Sequence, residues 1–137
     1  MAERFHLEIV TPDRQFFIGE AESLVLPAVD GQLGVLKGHS PVVTALEPGM
    51  LQFRTAEGEE TAVVGQGLAE IFPERVMVLA SFAERPEEID QKRAEAARQR
   101  AEERLRQKLS VQEYHNSKAA LARALARLKA ARRVGKG

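Results

Sequence analysis

The sequence predicts an α+β protein with segregated parts: an N-terminal antiparallel β-sandwich or flattened barrel, followed by a C-terminal antiparallel two-helix hairpin. Short apolar or alternating runs separated by turn residues fill the chain up to Ala83, and all six Phe residues lie there. Beyond Ala83 the strong helix formers Ala, Arg, Glu, Lys and Leu dominate. The net charge also reverses at this point, from −7 in the first part to +7 in the second. Two parts with different partners are therefore expected.

The first part, residues 1–84, reads as a series of short strands. Runs such as "FHLEIV", "SLVLPA", "MLQFRT" and "VMVLASF" alternate with turn signals that include Pro12-Asp13, Asp30-Gly31 and Glu57-Gly58. Closely spaced strands with such turns are typical of an antiparallel sandwich or barrel. Roughly 80 residues suffice to enclose one modest core.

The second part, residues 85–137, reads as two helices. Pro86 suits a first helical position, and the acids that follow it suit a helix N-terminus. Ser110 and Glu113 form a capping-box pattern that predicts the start of the second helix, with Tyr114–Ser117 as an alternative break. The apolar stripe of the first helix consists of Ala94, Ala97, Ala101, Leu105 and Leu109, and that of the second of Leu121, Leu125 and Leu128. Because alanines bury little area, we expect weak docking that permits a folded or an extended hairpin.

Several functional classes find no support in the sequence. There is no cysteine, so disulfides are excluded, and no run of 18 apolar residues suggests a membrane span. The three histidines, His6, His39 and His115, are scattered, and His39-Ser40 lies in a turn without a third catalytic partner. Gly65-Gln66-Gly67 lacks the residues of a P-loop and is interpreted as a structural bulge.

Arginines recur at helical spacing on both predicted helices. Arg93 and Arg100 are two turns apart on the first, and Arg123 and Arg127 are one turn apart on the second. In an antiparallel hairpin the two pairs can converge on a phosphate-like anion, with Asp90 beside them; ordinary surface salt bridges are the alternative. Seven bases and no acid follow Glu113, a pattern that could bind nucleic acid. Because only one aromatic residue, Tyr114, lies in this part and its bases are spread around the helix, a solvated or acid-facing protein-binding helix is favoured.

The passage "LVLPAVDGQLGVLKGHSPVVTALEPGML", with Gly-x-Leu-Gly-x-Leu-x-Gly-His-x-Pro at Gly31–Pro41, closely resembles the epsilon subunit of the F-type ATP synthase. The resemblance extends from about Phe5 to Arg133. It implies a non-catalytic subunit of the rotating central stalk, peripheral at the cytoplasmic face of a bacterial plasma membrane. The implied partners are the gamma subunit, the c-subunit ring and, through the basic C-terminal helix, the alpha/beta catalytic head. Gly31, Gln32 and Leu33 match the ring-contacting segment, and His39 lies near the stalk contacts.

The resemblance also implies that the hairpin inhibits ATP hydrolysis when extended and binds ATP, as a regulatory ligand, when folded. The family's nucleotide motif, Ile/Leu-Asp-x-x-Arg-Ala, is matched by Ile89, Asp90, Arg93 and Ala94. By position, Glu84, Arg100, Arg123 and Arg127 match its other ATP contacts. Inhibition by charge alone, without ATP sensing, is the first alternative, and a nucleic-acid adaptor is the second.

Overall fold

The computed structural model describes residues 3–135 of the chain and the side chains of residues 3–133. Lys136, one of the seven bases that follow Glu113, lies outside the described residues, as do Met1 and Ala2. The chain divides into two compact units, Met1–Arg85 and Pro86–Gly137. We refer to them as the sandwich unit and the hairpin unit. In the described part of the chain, no helix is long and apolar enough to cross a membrane.

The described residues of the sandwich unit form ten strands, which confirms the predicted series of short strands and adds a short last one, β10. They are β1 Phe5–Val10, β2 Gln15–Ala21, β3 Ser23–Ala28, β4 Gly31–Val35, β5 Val42–Leu46, β6 Gly49–Thr55, β7 Gly58–Val64, β8 Gly67–Ile71, β9 Arg75–Ala80 and β10 Ala83–Glu84. They hydrogen bond in the order β10-β7-β6-β3-β5-β8-β9-β1-β2, and β4 adds to β3 outside this path. All pairs between the described strands are antiparallel except β1 and β9, which run parallel.

The sheet curls on itself around one apolar core. Alternation buries Phe5, Leu7 and Ile9 on one face of β1, while His6 and Glu8 point outward. The rings of Phe17 on β2 and Phe53 on β6 lie 4.7 Å apart, although β2 is at the end of the sheet order and β6 is near the other end. This contact closes the sheet, so the prediction of a sandwich or flattened barrel is confirmed.

The first helix of the hairpin unit begins later than the sequence predicts. Pro86 opens a single 3-10 turn, Pro86–Glu88, and the first α-helix, α1, begins only at Gln91. The prediction that Pro86 is the first residue of a long helix is therefore wrong by five residues. Pro86 still starts a helical turn because its fixed φ and missing N–H suit that place.

Two α-helices follow, α1 at Gln91–Leu105 and α2 at Val111–Gly135. The capping box predicted for α2 is confirmed: Ser110 N donates to Glu113 Oε1 at 3.2 Å, and Glu113 N donates to Ser110 Oγ at 3.1 Å. The alternative break at Tyr114–Ser117 is wrong, because these residues are helical. Leu109 falls in the connection and not on the stripe of α1.

The two helices run antiparallel. Arg104, at the end of α1, pairs with Glu113 at the start of α2, with Nη2 and Oε2 3.3 Å apart. At the opposite end, Arg132 of α2 lies close enough to Glu95 of α1 to influence its carboxylate. The buried residues are mostly alanines, among them Ala94, Ala101, Ala124 and Ala131. The predicted small-residue interface is thus present, and it buries little apolar area per residue.

Candidate functional site

Asp90, the acid of the predicted nucleotide motif, is the N-cap of α1. Its backbone is extended, with φ −83° and ψ 100°, and its Oδ1 accepts from Arg93 N at 3.1 Å. Ala94 N in turn donates to Asp90 O at 3.0 Å. A carboxylate in this place satisfies an otherwise unpaired N–H and opposes the positive end of the helix dipole. The motif therefore has a structural role whether or not a ligand is bound.

Arg93 and Arg100 project from one side of α1 into solvent. Both residues are exposed. Among the described residues, neither guanidinium takes part in a salt bridge. The alternative that these two arginines form ordinary surface salt bridges is therefore wrong for the described part of the chain.

The neighbouring Arg98 shows the contrast. It pairs with Glu95 at i−3 and Glu102 at i+4, and its Nη1 lies 2.6 Å from Glu102 Oε1. The hydrogen bond from Arg98 holds the pKa of Glu95 below its ordinary value, and the Glu95 carboxylate raises the pKa of Arg98. Acids on α1 thus neutralise Arg98 and leave Arg93 and Arg100 available to an external anion.

Arg123 and Arg127 lie one turn apart on α2, and both are half-buried. Gln99 of α1 and Leu128 of α2 line the same interhelical groove. Gln99 precedes Arg100 in the sequence, and Leu128 follows Arg127. Arg100 and Arg127 therefore lie at about the same height along the two helices. The groove itself is lined by none of the predicted nucleotide residues, but by Gln91, Lys92, Glu95, Ala96, Gln99, Leu128 and Arg132.

The remaining residues of the predicted nucleotide set differ in their surroundings. Ile89 is half-buried and follows the 3-10 turn, where its N donates to Pro86 O at 3.2 Å. Ala94 is buried on α1. Glu84 belongs to the sandwich unit, where it is half-buried in β10 opposite Val63 of β7. The sequence set thus divides between the two units, with seven of its eight members in the hairpin unit.

The predicted partner contacts occupy the two ends of β4. Gly31 pairs with Ala28 at the tight turn from β3, and its φ of +125° is a conformation that disfavours other residues. Gln32 is exposed, and Leu33 is half-buried against the core. His39 lies beyond the other end, where Gly38 N donates to Pro73 O at 2.7 Å. The residues expected to contact the c-subunit ring therefore lie at the start of β4, and the residue expected near the stalk contacts lies beyond its end.

A row of apolar residues crosses four adjacent strands and was not predicted; three of its members are exposed and the fourth, Val10, is half-buried. Ala45, Leu68, Leu79 and Val10 are successive cross-strand neighbours on β5, β8, β9 and β1. Leu68 is 47% exposed and Leu79 is 41% exposed, while their chain neighbours Ala69, Val78 and Ala80 are buried. We call these four residues the outer row. The signal in the sequence is that apolar residues also occupy outward-facing positions, namely Leu68 in "GLAEI" and Met77 and Leu79 in "RVMVLA", whereas a strand with one solvated face usually alternates apolar and polar residues.

The residues considered for catalysis and metal binding do not form a constellation. His39 Nδ1 contacts the backbone oxygen of Ser40 at 2.7 Å, so the pair is a local turn contact. Within the described residues, no group of three His, Cys, Asp or Glu side chains is arranged to hold a metal ion. Among the described residues, two surface features can bind a ligand or partner: the arginines of the hairpin unit and the apolar outer row.

Sequence comparison assigns both units to known families. A family model described as ATP synthase, Delta/Epsilon chain, beta-sandwich domain matches residues 4–86. A second, described as ATP synthase, Delta/Epsilon chain, long alpha-helix domain, matches residues 87–132. Together they account for almost the whole chain.

Similar proteins agree with this assignment. An ATP synthase epsilon chain of Ruminiclostridium cellulolyticum is 53% identical over 94% of this chain and 96% of its own length. Another from Caldanaerobacter subterraneus is 46% identical over 96% of each chain. A chain in the mitochondrial ATP synthase of Euglena gracilis shares the fold, with a TM-score of 0.79 and 22% identity over 90% of this chain and 78% of that one.

Proposed function

This chain belongs to the Delta/Epsilon family of ATP synthase chains, in its bacterial epsilon branch, and on that basis we propose that it is a regulatory subunit of the central stalk. The sandwich unit binds the gamma subunit and the c-subunit ring. The hairpin unit binds ATP when folded and inhibits ATP hydrolysis when it extends toward the catalytic head. The single observation that carries the regulatory part is that Arg93, Arg100 and Arg123 of the hairpin unit form no salt bridge with any other described residue.

The outer row supports the attachment of the sandwich unit to another subunit. A continuous apolar row across four strands is unusual on a surface that stays in water, and such rows mark protein interfaces. We assign it to the gamma subunit. Leu68→Lys should weaken binding of the chain to purified gamma subunit by tenfold or more, because a charge would be buried at the interface. Ile18→Lys, at a site of similar exposure on β2 outside the row, is the matched control. Equal weakening by both variants would contradict this assignment.

The hairpin arginines support an anionic ligand. Arg93, Arg100 and Arg123 form no salt bridge within the described part of the chain. Guanidinium groups on one hairpin repel one another, and a polyphosphate relieves this repulsion through bidentate hydrogen bonds. ATP carries both the charge and the repeated oxygens that such a set requires.

Titration of the isolated full-length chain with ATP tests the site. We expect Arg93→Ala combined with Arg100→Ala to raise the Kd by at least tenfold, since each removes a charge-assisted hydrogen bond. Arg106→Ala is the matched control, because Arg106 is an exposed arginine at the end of α1 that pairs with Glu103. If the double variant binds ATP as well as the wild type, the site is not on these arginines.

The energetics of the hairpin make ATP an effective regulator. A ligand at 100 times its Kd stabilises the state that it binds by about 2.7 kcal/mol. The interface that holds the folded hairpin is built largely from alanines, so its own stability is small. A bias of this size is sufficient to change which arrangement predominates. Falling ATP would then release the hairpin.

Inhibition is tested in the assembled synthase. Truncation after Arg85 removes the hairpin unit and should raise ATP hydrolysis severalfold, because the basic α2 can no longer approach acidic loops of the beta subunits. The alternative is a purely electrostatic inhibitor, which is favoured by the use of Asp90 as a helix cap. On that alternative, the double variant Arg93→Ala, Arg100→Ala would inhibit with unchanged ATP dependence. An unaltered hydrolysis rate after truncation would contradict both mechanisms.

A further inference from the structure

The chain leaves the sandwich unit through a short segment, Ala83–Arg85, that is held more firmly than its length suggests. Its strand β10 has only two residues, paired with Val63 and Val64 of β7. So short an edge strand is weakly held by its backbone hydrogen bonds alone. A side chain from the other end of the sheet order adds to it: Arg14 Nη2 donates to Ala83 O at 2.6 Å.

A cation–aromatic cluster adds a third attachment at the end of this segment. The guanidinium carbons of Arg14 and Arg85 lie 5.1 and 5.0 Å from the centroid of the same Phe16 ring. Both distances are within the range of a cation–π contact. Arg85 Nη1 also lies 2.6 Å from Glu60 Oε1 on β7, and that carboxylate offsets the repulsion between the two cations. We name Arg14, Phe16, Glu60 and Arg85 the exit clamp.

The exit clamp ends at the boundary between the sandwich unit and the hairpin unit. Arg85 is the last residue of the sandwich unit, and Pro86, the next residue, opens the 3-10 turn of the hairpin unit. All four clamp residues lie in the sandwich unit, on β2, on β7 or directly beside β2 and β10. Phe16 itself packs against the core, so the ring is a fixed platform for both guanidiniums.

We infer that the exit clamp fixes the pivot of the hairpin at the Arg85–Pro86 junction. This inference rests on the proposed function, in which the hairpin unit moves. With the clamp closed, residues 83–85 stay on the sheet in every state of the hairpin, and the change in backbone dihedrals is confined to the residues that follow. With the clamp broken, β10 separates from β7 and the pivot becomes diffuse.

Hydrogen exchange of the full-length chain, followed by mass spectrometry, tests the clamp. Phe16→Leu keeps an apolar side chain on the core but removes the aromatic face, and Arg85→Gln removes both the stacking cation and the partner of Glu60. Each should accelerate exchange of residues 83–85 by about tenfold, with little change in the thermal midpoint. Arg75→Gln is the matched control. The guanidinium carbon of Arg75 lies 5.1 Å from the centroid of the Phe72 ring, and neither residue belongs to the segment 83–85 or to the exit clamp. Exchange at residues 83–85 that is unchanged in both Phe16→Leu and Arg85→Gln overturns the inference.

The effect of ATP on the wild type provides the second measurement. Saturating ATP should slow exchange in α1 and α2 while leaving residues 83–85 as protected as before, because the pivot lies beyond them. Exchange at residues 83–85 that rises and falls together with the helices overturns a fixed pivot. If ATP alters no part of the hairpin, the proposed ATP site fails, and the comparison of the variants without ATP still decides the clamp.

Discussion

At the residue scale, single side chains in this protein serve local structure at the places where the sequence suggests ligand chemistry. Asp90 is the clearest example, because its carboxylate caps α1 through Arg93 N. A side chain that accepts one N–H through one oxygen still has further lone pairs for a ligand. Capping and binding are therefore compatible, and they can be separated by substitution.

Asp90→Ala should destabilise α1 by about 1 kcal/mol, because the first-turn N–H loses its acceptor. Asp90→Ser should preserve the helix, since a hydroxyl caps nearly as well as a carboxylate. Circular dichroism and hydrogen exchange of the first turn of α1 measure this difference. ATP titration of the same pair then isolates the ligand role: a Ser variant with a stable helix and wild-type affinity would show that Asp90 acts as a cap alone.

Gly67 illustrates a second residue-scale constraint, that of close backbone approach. A Cβ at this position would collide with Leu79 O and lie 2.9 Å from Ala80 Cα on the neighbouring strand. Gly67→Ala should therefore lower stability by about 1–3 kcal/mol, as overpacking against backbone does. Gly34→Ala is the matched control, because a Cβ there meets nothing within 4 Å. Thermal unfolding checks the pair, and equal midpoints would contradict the steric argument.

At the element scale, the start of α2 is determined by a reciprocal pair of hydrogen bonds between Ser110 and Glu113. The bond from the backbone N–H of Ser110, followed by that of its hydroxyl and by the charge of Arg104, lowers the pKa of Glu113. A carboxyl whose pKa is lower in the folded state than in the unfolded state contributes stability at pH values above its ordinary pKa, which is about 4.3 for glutamate. Glu113 therefore stabilises the helix start above that pH. That contribution is lost as the pH falls from there through the pKa of the folded state.

The first turn of α2 should consequently fray as the pH is lowered below about 4. Glu113→Gln should remove this dependence, because Gln completes the same capping box without titrating. The amide chemical shift of Ser110, followed by NMR between pH 3 and 6, measures the transition. A titration curve that is identical in the wild type and in Glu113→Gln would assign the transition to another group.

At the scale of the whole molecule, the chain consists of two units with different sources of stability. The main core cluster runs from Phe5 to Ala83 and lies entirely within the sandwich unit. The hairpin unit has a small interface rich in alanine and depends on helix propensity and capping. The unit with the larger core is expected to fold by itself.

A truncated chain of residues 1–85 should therefore unfold cooperatively, with a thermal midpoint within several degrees of that of the sandwich unit in the full chain. It retains every residue of the main core cluster and the exit clamp. Calorimetry and far-ultraviolet circular dichroism measure the transition. A truncated chain without a cooperative transition would show that the sandwich unit depends on the hairpin for its stability.

Much of the architecture was predictable because it depends on neighbouring residues. The strand series, the change of composition near Ala83, the two helices and the Ser110–Glu113 capping box follow from alternation, propensity and hydrogen bonds over three residues. The start of α1 was mispredicted at Pro86, because both Pro86 and Asp90 are acceptable helix starts. Only the packing of the chain decides between two such signals.

The sequence by itself determined that an acidic β-rich part precedes a basic helical hairpin, and that arginines recur at helical spacing on both helices. Local propensity and charge suffice for that. Only the tertiary structure decided that β1 and β9 run parallel, that Ala45, Leu68, Leu79 and Val10 form one apolar row across four strands, and that Arg14 and Arg85 share the ring of Phe16. These features join residues that are distant in sequence, and their pairing follows from closure of the sheet around its core, which no local pattern encodes.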